Sequence, residues 1–486
     1  MCARSFAELA EAYERAAKWA DIVELRLDCV EGDLEFAIER FVGELSRPLI
    51  LTFRPAEQGG YRALERAERE AFWTRDWRLP DNSVFDKSLF DIESDLVVES
   101  SFDWPRVIVS HHNFSGVPDD LEQIYERLAA TPARIVKIAV RATDITDCIR
   151  VFHLLDRARN ENRELIAIAM GNAGIATRIL GPSRGAYLTY GSLEDESATA
   201  PGQVNARQLR SVYRIDEIDR ETMICGLVGL PVTHSVSPHM HNAAFAAAGV
   251  NGVYLPLEVN DVRSFVKRMV HPRTRELDWN LRGLSVTAPH KASVIELLDW
   301  VHPDAKEIGA VNTIVIEDHE LHGHNTDVHG LIVPLSERVG SLSGLSVAVI
   351  GAGGAARAAV WALKRERASV TLFARDPIKG GLLAQTFGIA CQPLASASFA
   401  GYDVVINATP QVPAVAEQLS GAGLIYDLIY NPIETAFIRE GRQAGCDTLG
   451  GLPMLVAQAR LQFELWTGET PAANLMYDAA ATALGQ

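Results

Sequence analysis

Two lysines, Lys137 and Lys291, stand in surroundings suited to amine chemistry on a carbonyl, and the surroundings differ. Lys137 interrupts the apolar run Ile135-Val136-Lys137-Ile138-Ala139-Val140. Burial lowers an amine's pKa, and the neutral amine is the nucleophile that adds to a ketone to give a Schiff base. Alone, such a lysine reads more readily as one that snorkels from an edge strand to water. It is not alone. Glu24 and Arg26 alternate with Val23, Leu25 and Leu27, so both charges share one face of a strand otherwise composed for burial. Arg54 closes the next apolar run, Glu93 follows another, and His112 comes just past Val107-Ile108-Val109-Ser110. An ion-pair network accounts for Glu24, Arg26 and Arg54. It does not call for a histidine and a lysine at two further strand ends.

Lys291 ends the segment Thr287-Ala288-Pro289-His290-Lys291, within a series of polar clusters. These are Ser235-Val236-Ser237-Pro238 with His241-Asn242, then Ser285 to Lys291, then Ala310-Val311-Asn312-Thr313, then Gly323-His324-Asn325-Thr326-Asp327. Paired small hydroxyls bind a carboxylate, and a lysine beside an aspartate can carry the proton that accompanies hydride transfer to a ketone. Surface turns rich in Ser, Pro and Asn would explain any one cluster, but explain all four poorly. Downstream, Gly351-x-Gly353-x-x-Ala356 follows Val347-Ala348-Val349-Ile350 in the form of a dinucleotide fingerprint. Its first glycine permits a tight turn, its second admits a pyrophosphate, and the small third residue lets helix and strand pack. The next strand ends in Ala374-Arg375-Asp376. Arg375 suits the 2′-phosphate of NADP, whereas Asp376 would accept from the 2′-hydroxyl of NAD; NADP is the expected cofactor. His239/His241 and His322/His324 lack a third ligand at recognisable spacing, so no metal is expected.

The elements that must position these residues alternate in type. Candidate strands in the first 215 residues are Ile22–Leu27, Leu49–Phe53, Ser83–Asp91, Arg106–Ser110, Ile135–Ala139, Leu165–Ala169 and Ala186–Tyr190, with amphipathic segments such as Asp119–Ala130 and Asp144–Asn160 between them. That alternation argues a parallel sheet, and polar residues at strand ends favour a (β/α)8 barrel, whose sites are built there. The charged stretch Gln208 to Glu221 reads as a last barrel helix and a short linker. A second α/β region opens with the strand Met223–Gly229 and continues through Leu345–Ile350, Ser369–Phe373, Val404–Ile406 and Leu424–Asp427. The expected division is 1–215, 222–330, 331–450 and 451–486, the last segment being helices that return to the second part.

With 486 residues, two to four domains are expected. A net charge of −17 argues against nucleic acid or an anionic membrane as the main partner. Six scattered cysteines without a C-x-x-C read as reduced thiols, and the N-terminus reads as neither signal nor transit peptide; a cytoplasmic protein is expected. No apolar run approaches the ~20 residues that span a bilayer.

The first half resembles type I 3-dehydroquinate dehydratase. The resemblance rests on Glu24-Leu25-Arg26-Leu27-Asp28, Thr52-Phe53-Arg54, Asp91-Ile92-Glu93, Ser110-His111-His112-Asn113-Phe114, Val136-Lys137-Ile138-Ala139, Met170-Gly171 to Thr177-Arg178, and Ala200-Pro201-Gly202-Gln203. It implies that Lys137 forms the Schiff base, that His112 is general base and acid with Glu93 orienting it, and that Arg178 grips the substrate carboxylate. Glu24, Arg26, Arg54, Thr199 and Gln203 would hold the rest of the ring. The Ser-x-His spacing favours His112 over His111. Thr177 and Thr199 stand where that family usually has serine.

The second half resembles shikimate dehydrogenase, reinforced by Asn407-Ala408-Thr409-Pro410, Asp427 to Pro432 and Gly450-Gly451-Leu452-Pro453 to Gln458. It implies NADP-dependent reduction of 3-dehydroshikimate to shikimate with Lys291 and Asp327 as the catalytic pair. Ser235, Ser237, Thr287, Asn312, Tyr430 and Gln458 would contact the substrate, and Gly351, Ala352, Gly353, Gly354, Ala355, Arg375, Asn407, Thr409 and Gly451 the cofactor. Ser285, where asparagine is usual, and Pro410 depart from the pattern. Together the two resemblances imply consecutive steps of aromatic precursor synthesis, with 3-dehydroquinate, 3-dehydroshikimate and shikimate as the small-molecule partners.

Overall fold

The branched apolar runs of the first half pair in sequence order. β1 (Val23–Arg26), β2 (Leu49–Thr52), β3 (Leu89–Glu93), β4 (Val107–Asn113), β5 (Ile135–Arg141) and β6 (Leu165–Met170) form one parallel sheet in the order β1 to β6. The structure, a computed structural model, describes the chain apart from residues 32–33, 35–37, 39–40, 43–44, 76–82, 98–101, 194–201, 412–414 and 486. Each edge of the six strands carries one more segment. Ala186 bridges Leu165 beside β6, and Arg26 donates its N–H to the Met1 carbonyl beside β1. The α/β class and the sequence-ordered parallel sheet are those expected, with six runs fully laddered. The run expected from Ser83 is shorter: Phe85–Lys87 makes a 3-10 turn and the ladder starts at Leu89.

Register sorts the faces. Ser110 pairs Lys137, Glu93 pairs Ser110, Asp91 pairs Ile108 and Thr52 pairs both Asp91 and Arg26. Since side chains alternate along a strand, Glu24, Arg26, Thr52, Asp91, Glu93, Ser110, His112 and Lys137 share one face. On that face Ile50, Leu89, Ile108, Ile135, Ile166 and Ile168 pack into an apolar cluster beneath the polar groups. Helices cover the other face. The helix Leu121–Ala129 buries Leu121, Ile124, Tyr125 and Leu128, the spacing of one helical stripe, each contributing about 1.5–3 kcal/mol. Asp144 and Asp147 form a reciprocal cap ahead of the helix Cys148–Asn160.

A second six-stranded sheet, ordered β10-β12-β11-β9-β7-β8, comprises β7 (Met223–Gly229), β8 (Gly252–Glu258), β9 (Leu281–Val286), β10 (Trp300–Val301), β11 (Thr313–Glu317) and β12 (Glu320–His324). It is mixed: β7 and β9 are parallel, while β11 runs antiparallel to both β9 and β12. Asp318 and His319, both at positive φ, close the β11–β12 hairpin.

The third sheet is parallel throughout, in the order β15-β14-β13-β16-β17-β18. Its strands are β13 (Ser346–Ile350), β14 (Ser369–Ala374), β15 (Ala390–Pro393), β16 (Val404–Asn407), β17 (Leu424–Asp427) and β18 (Asp447–Leu449). This is the doubly wound order, with β13 at the point where the winding reverses. Val347 and Val349 pack against the helix Gly354–Arg365 on one face, and Ala348 and Ile350 join Phe373 and Phe399 on the other.

The chain forms two compact units, Met1–Thr222 with Pro256–Val270 and Thr274–Asn280, and Met223–Leu255 with His271–Arg273 and Leu281–Gln486. No helix among the described residues is long and apolar enough to cross a membrane. One expectation fails outright: Cys2 and Cys29 form a disulfide, their Cα atoms 5.4 Å apart. Met1 runs beside β1, which brings together cysteines that sequence spacing keeps 27 residues apart.

Candidate active sites

On the polar face of the first sheet, Lys137 is the hub. Its Nζ donates to Asp91 Oδ2 at 2.6 Å and to Tyr190 Oη at 3.2 Å, lies 4.3 Å from the Tyr190 ring centroid, and is 3.9 Å from Glu24 Oε1. Burial lowers the Lys137 pKa; Asp91 opposes this and Arg54 adds to it. Asp91 is itself fully buried between Lys137 and Arg54, whose Nη2 is 2.8 Å away. Burial works to raise its pKa, but the two cations prevail and keep it a carboxylate. Glu24 behaves alike: burial raises, but Lys137 and its cationic neighbours hold it low, and it accepts from Thr52 Oγ1 at 2.9 Å.

Glu93 differs. Burial pushes its pKa up to about 7, although Arg54 lies 3.5 Å away and Arg69 3.3 Å. His112, on the lysine's face as the Ser-x-His spacing requires, has its pKa pushed well down by burial and by Arg54 and Lys137, so the ring is neutral. His112 Nδ1 and Glu93 Oε1 are each buried with no hydrogen-bond partner among the described residues, and Glu93 does not bond to His112 there. Catalytic contacts of this kind often tighten only around substrate.

Arg178 is buried on the short helix Ile175–Leu180, where desolvation lowers its pKa to about 10, and its Nη1 reaches the Tyr190 carbonyl at 3.5 Å. Arg26 is clamped by both oxygens of Asp28 at 2.9 and 2.8 Å and by the Gly59 carbonyl, which makes it a scaffold as well as a candidate contact. Gly202 needs its positive φ and its missing side chain: a Cβ there would meet the Gly171 carbonyl at 2.2 Å. That packing sets the chain just before Gln203, while Thr199 lies outside the described residues. Thr177 Oγ1 is internal, bonded to Ala169 N and the Gly174 carbonyl. Sequence reading missed Asp91 as a partner of Lys137, gave no role to Asp28 or Tyr190 although both lie in segments it named, and missed Arg69 altogether. Asp91 was visible as the apolar run's charged member two before Glu93; Arg69 and Tyr190 come from distant segments and carry no local signal.

In the second unit a cavity of about 430 Å³ gathers Ser235, Ser237, Ser285, Thr287, Lys291, Asn312, Asp327, Ala355, Tyr430, Gly451 and Gln458. Such a volume suits a small ligand. Lys291 Nζ donates to Asp327 Oδ2 at 2.6 Å, and Asn312 Nδ2 donates to Asp327 Oδ1 at 2.8 Å, so both carboxylate oxygens are fixed. Ser235 Oγ and Ser237 Oγ lie 3.1 Å apart where the helix Ser237–Ala248 begins. Burial raises the Tyr430 pKa, keeping the phenol protonated, while Ser235 pulls the other way. Gln458 Oε1 accepts from Thr326 at 3.4 Å. Gln462, absent from the sequence reading, accepts from Ser285 Oγ at 2.8 Å and donates to Thr313 Oγ1 at 3.0 Å. It sits one helical turn after Gln458, a spacing that the sequence offered.

The glycine loop opens at the end of β13. Gly351 has φ +120° and packs on Ala408, whereas Cβ atoms at Gly353 and Gly354 would meet nothing within 4 Å. The 12-residue helix Gly354–Arg365 has no side-chain cap, so its first N–H groups are available to an anion, and Ala352 and Ala355 leave the approach open. The loop therefore fits a dinucleotide pyrophosphate. Arg375 is exposed at the end of β14, while Asp376 accepts from Ile378 N and Lys379 N as a helix cap. Asp376 is thus committed locally, which favours the arginine and a 2′-phosphate. Asn407 is fully buried, donating to Asp427 and accepting from Thr409, so this pair shapes the loop beside Gly351. Gly451 starts the helix Leu452–Thr467, where a Cβ would meet the Leu428 carbonyl at 2.5 Å.

Comparison with known proteins finds matches to both halves of the chain. Family models match residues 1–220 (type I 3-dehydroquinase), 227–314 (shikimate dehydrogenase substrate binding domain) and 451–481 (shikimate 5′-dehydrogenase C-terminal domain). The chloroplastic bifunctional 3-dehydroquinate dehydratase/shikimate dehydrogenase of Arabidopsis thaliana is 33% identical over 497 residues, covering 94% of this chain and 79% of that one. The shikimate dehydrogenase (NADP(+)) of Carboxydothermus hydrogenoformans is 38% identical over 278 residues, 53% of this chain and 96% of that one. Among solved structures, shikimate 5-dehydrogenase from Thermus thermophilus in complex with shikimate matches 54% of this chain and 100% of its own at 35% identity, with a TM-score of 0.50. The chain belongs to the bifunctional 3-dehydroquinate dehydratase/shikimate dehydrogenase family, uniting a type I dehydroquinase with an NADP-dependent shikimate dehydrogenase.

Proposed function

We propose that the first sheet's polar face dehydrates 3-dehydroquinate to 3-dehydroshikimate through an imine on Lys137, and that the second unit's cavity reduces that product to shikimate. The observation that carries this reading is a lysine–carboxylate pair in each unit, both at 2.6 Å, the first buried beside a neutral histidine and the second half-buried in a cavity beside a nucleotide loop.

In the first step the Lys137 lone pair adds to the ketone carbon and the carbonyl π pair moves to oxygen, which leaves as water after protonation. The resulting iminium acidifies the α-carbon, whose proton His112 takes; the β-hydroxyl then departs as water with that proton. Hydrolysis of the imine releases the enone and restores Lys137. Arg178 binds the carboxylate, a group that a guanidinium can hold bidentately. Glu24, Arg26, Arg54, Thr199 and Gln203 hold the ring, and Glu93 orients His112 once substrate closes the gap at Nδ1.

In the second step Ser235, Ser237 and Tyr430 bind the carboxylate, and Thr287, Asn312 and Gln458 the ring hydroxyls. NADPH, when bound against Gly351 to Ala355, Asn407, Thr409 and Gly451 with its 2′-phosphate on Arg375, supplies the hydride. Lys291 gives the carbonyl oxygen its proton, and Asp327 fixes the ammonium where that oxygen lies. The division 1–215, 222–330, 331–450 and 451–486 belongs to this reading, supported by three sheets that each fall inside one part. So does cytoplasmic residence, which the Cys2–Cys29 bridge does not favour and which fractionation of cells carrying the tagged chain tests.

A coupled assay tests the whole. Pure chain given 3-dehydroquinate and NADPH should yield shikimate with one NADPH oxidised per dehydration. Accumulation of 3-dehydroshikimate without NADPH oxidation, or faster oxidation of quinate with NAD⁺ than of shikimate with NADP⁺, sinks the second half.

A further inference from the structure

Tyr190 was named in no motif, yet it touches both ends of the barrel site. It ends the run that Ala186 starts, on the segment bridged to β6. Its carbonyl receives Arg178, and its hydroxyl oxygen lies 3.2 Å from Lys137 Nζ, the atom that would bond to substrate. A neutral amine has two N–H bonds and one lone pair. Asp91 at 2.6 Å takes one N–H and the Tyr190 hydroxyl oxygen the other. With both hydrogens held, the lone pair has a single remaining direction. We propose that Tyr190 is a further catalytic residue of the dehydratase, its hydroxyl accepting an N–H of Lys137 and so aiming the amine's lone pair at the ketone carbon.

No proton changes place on Tyr190 in this role. Burial, reinforced by Glu24 and Asp91, raises the phenol pKa well above its ordinary value, so it stays neutral throughout. The groups facing Lys137 are Glu24 from β1, Arg54 after β2, Asp91 from β3, His112 from β4 and Tyr190. Of these, Tyr190 is the neutral group whose oxygen accepts from the amine. Once the iminium forms, nitrogen keeps a single N–H, which stays with the Asp91 carboxylate, and the Tyr190 oxygen is released. The contact thus acts before carbon–nitrogen bond formation.

The inference rests on Lys137 being the imine lysine, so the test first asks whether borohydride traps substrate on Lys137 in the parent enzyme. Its absence there overturns that reading, not this one alone. With trapping established, Tyr190→Phe keeps the ring and removes the acceptor. Loss of one hydrogen bond predicts a fall in kcat for dehydration of about 3–10-fold, an equal fall in the trapping rate, and KM within about twofold. Removing an acceptor from the ammonium also disfavours the charged form, so the acid limb of kcat/KM moves to lower pH. Unchanged kcat and limb, or a raised KM at constant kcat, overturns the proposal. If Tyr190→Phe fails to fold, 3-fluorotyrosine placed at 190 retains the shape and weakens the oxygen as an acceptor. It should give a smaller change in the same direction, and no change overturns the proposal.

Discussion

Lys137 and Lys291 each lie 2.6 Å from a carboxylate, but their settings differ in what they leave the amine able to do. The Lys137 side chain is 6% exposed on a strand face, hemmed by Arg54 and His112 as well as by its partner. The Lys291 side chain is 25% exposed on a cavity wall, and its partner Asp327 is tied by Asn312. An ion pair alone therefore does not define a catalytic role. Desolvation favours a neutral nucleophile, whereas partial exposure lets a proton carrier be reloaded from water.

The largest expected effect separates the two roles. Lys137→Ala removes the covalent nucleophile and should lower dehydration by about 10⁴-fold or more, leaving 3-dehydroshikimate reduction at the parent rate. Lys291→Ala should lower NADPH oxidation by about 10²–10⁴-fold and leave dehydration intact. Both are read by assaying each reaction alone; loss of both activities in either variant erases the distinction.

The partners sharpen it. Asp91→Asn strands Arg54 and Lys137 without their buried countercharge and should cost about 3–5 kcal/mol in urea unfolding of the first unit. Asp327→Asn, beside the more exposed lysine, should cost about 1 kcal/mol or less in the second. Equal costs would mean that the environments are energetically alike.

A smaller effect belongs to Glu93, whose folded pKa of about 7 exceeds the 4.5 of the free group. The folded state then binds this proton more tightly than the unfolded state. Its contribution is complete below about pH 4.5 and is lost as pH rises towards 7, by at most about 3 kcal/mol. Glu93→Gln should abolish that slope, so the stability difference between parent and variant should shift in favour of the variant from pH 4.5 to 7. A pH-independent difference contradicts the assignment.

The sequence was most informative where chemistry broke a pattern. Lys137 among branched aliphatics, Glu24 and Arg26 on one strand face, and the glycine turn after β13 all violate or punctuate a periodicity. Asp376 stood as the alternative ribose ligand to Arg375, and the structure puts it on two backbone N–H groups as a helix cap. Arg69, Tyr190 and Gln462 obey their local patterns, as ordinary helix or loop residues, and only tertiary folding carries them to the sites. The antiparallel β11–β12 hairpin was also unread, because its turn is Asp318-His319 and lacks the usual glycine. Cys2 and Cys29 meet for a similar reason, through pairing at the edge of β1 that no spacing rule records.

The central claim is that one lysine bonds to substrate and the other does not. Borohydride added with 3-dehydroquinate, followed by peptide mass spectrometry and assay of both reactions, tests it most directly. A reduced adduct on Lys137 alone is predicted, with dehydration lost and 3-dehydroshikimate reduction retained. An adduct on Lys291, or no adduct at Lys137, would contradict it.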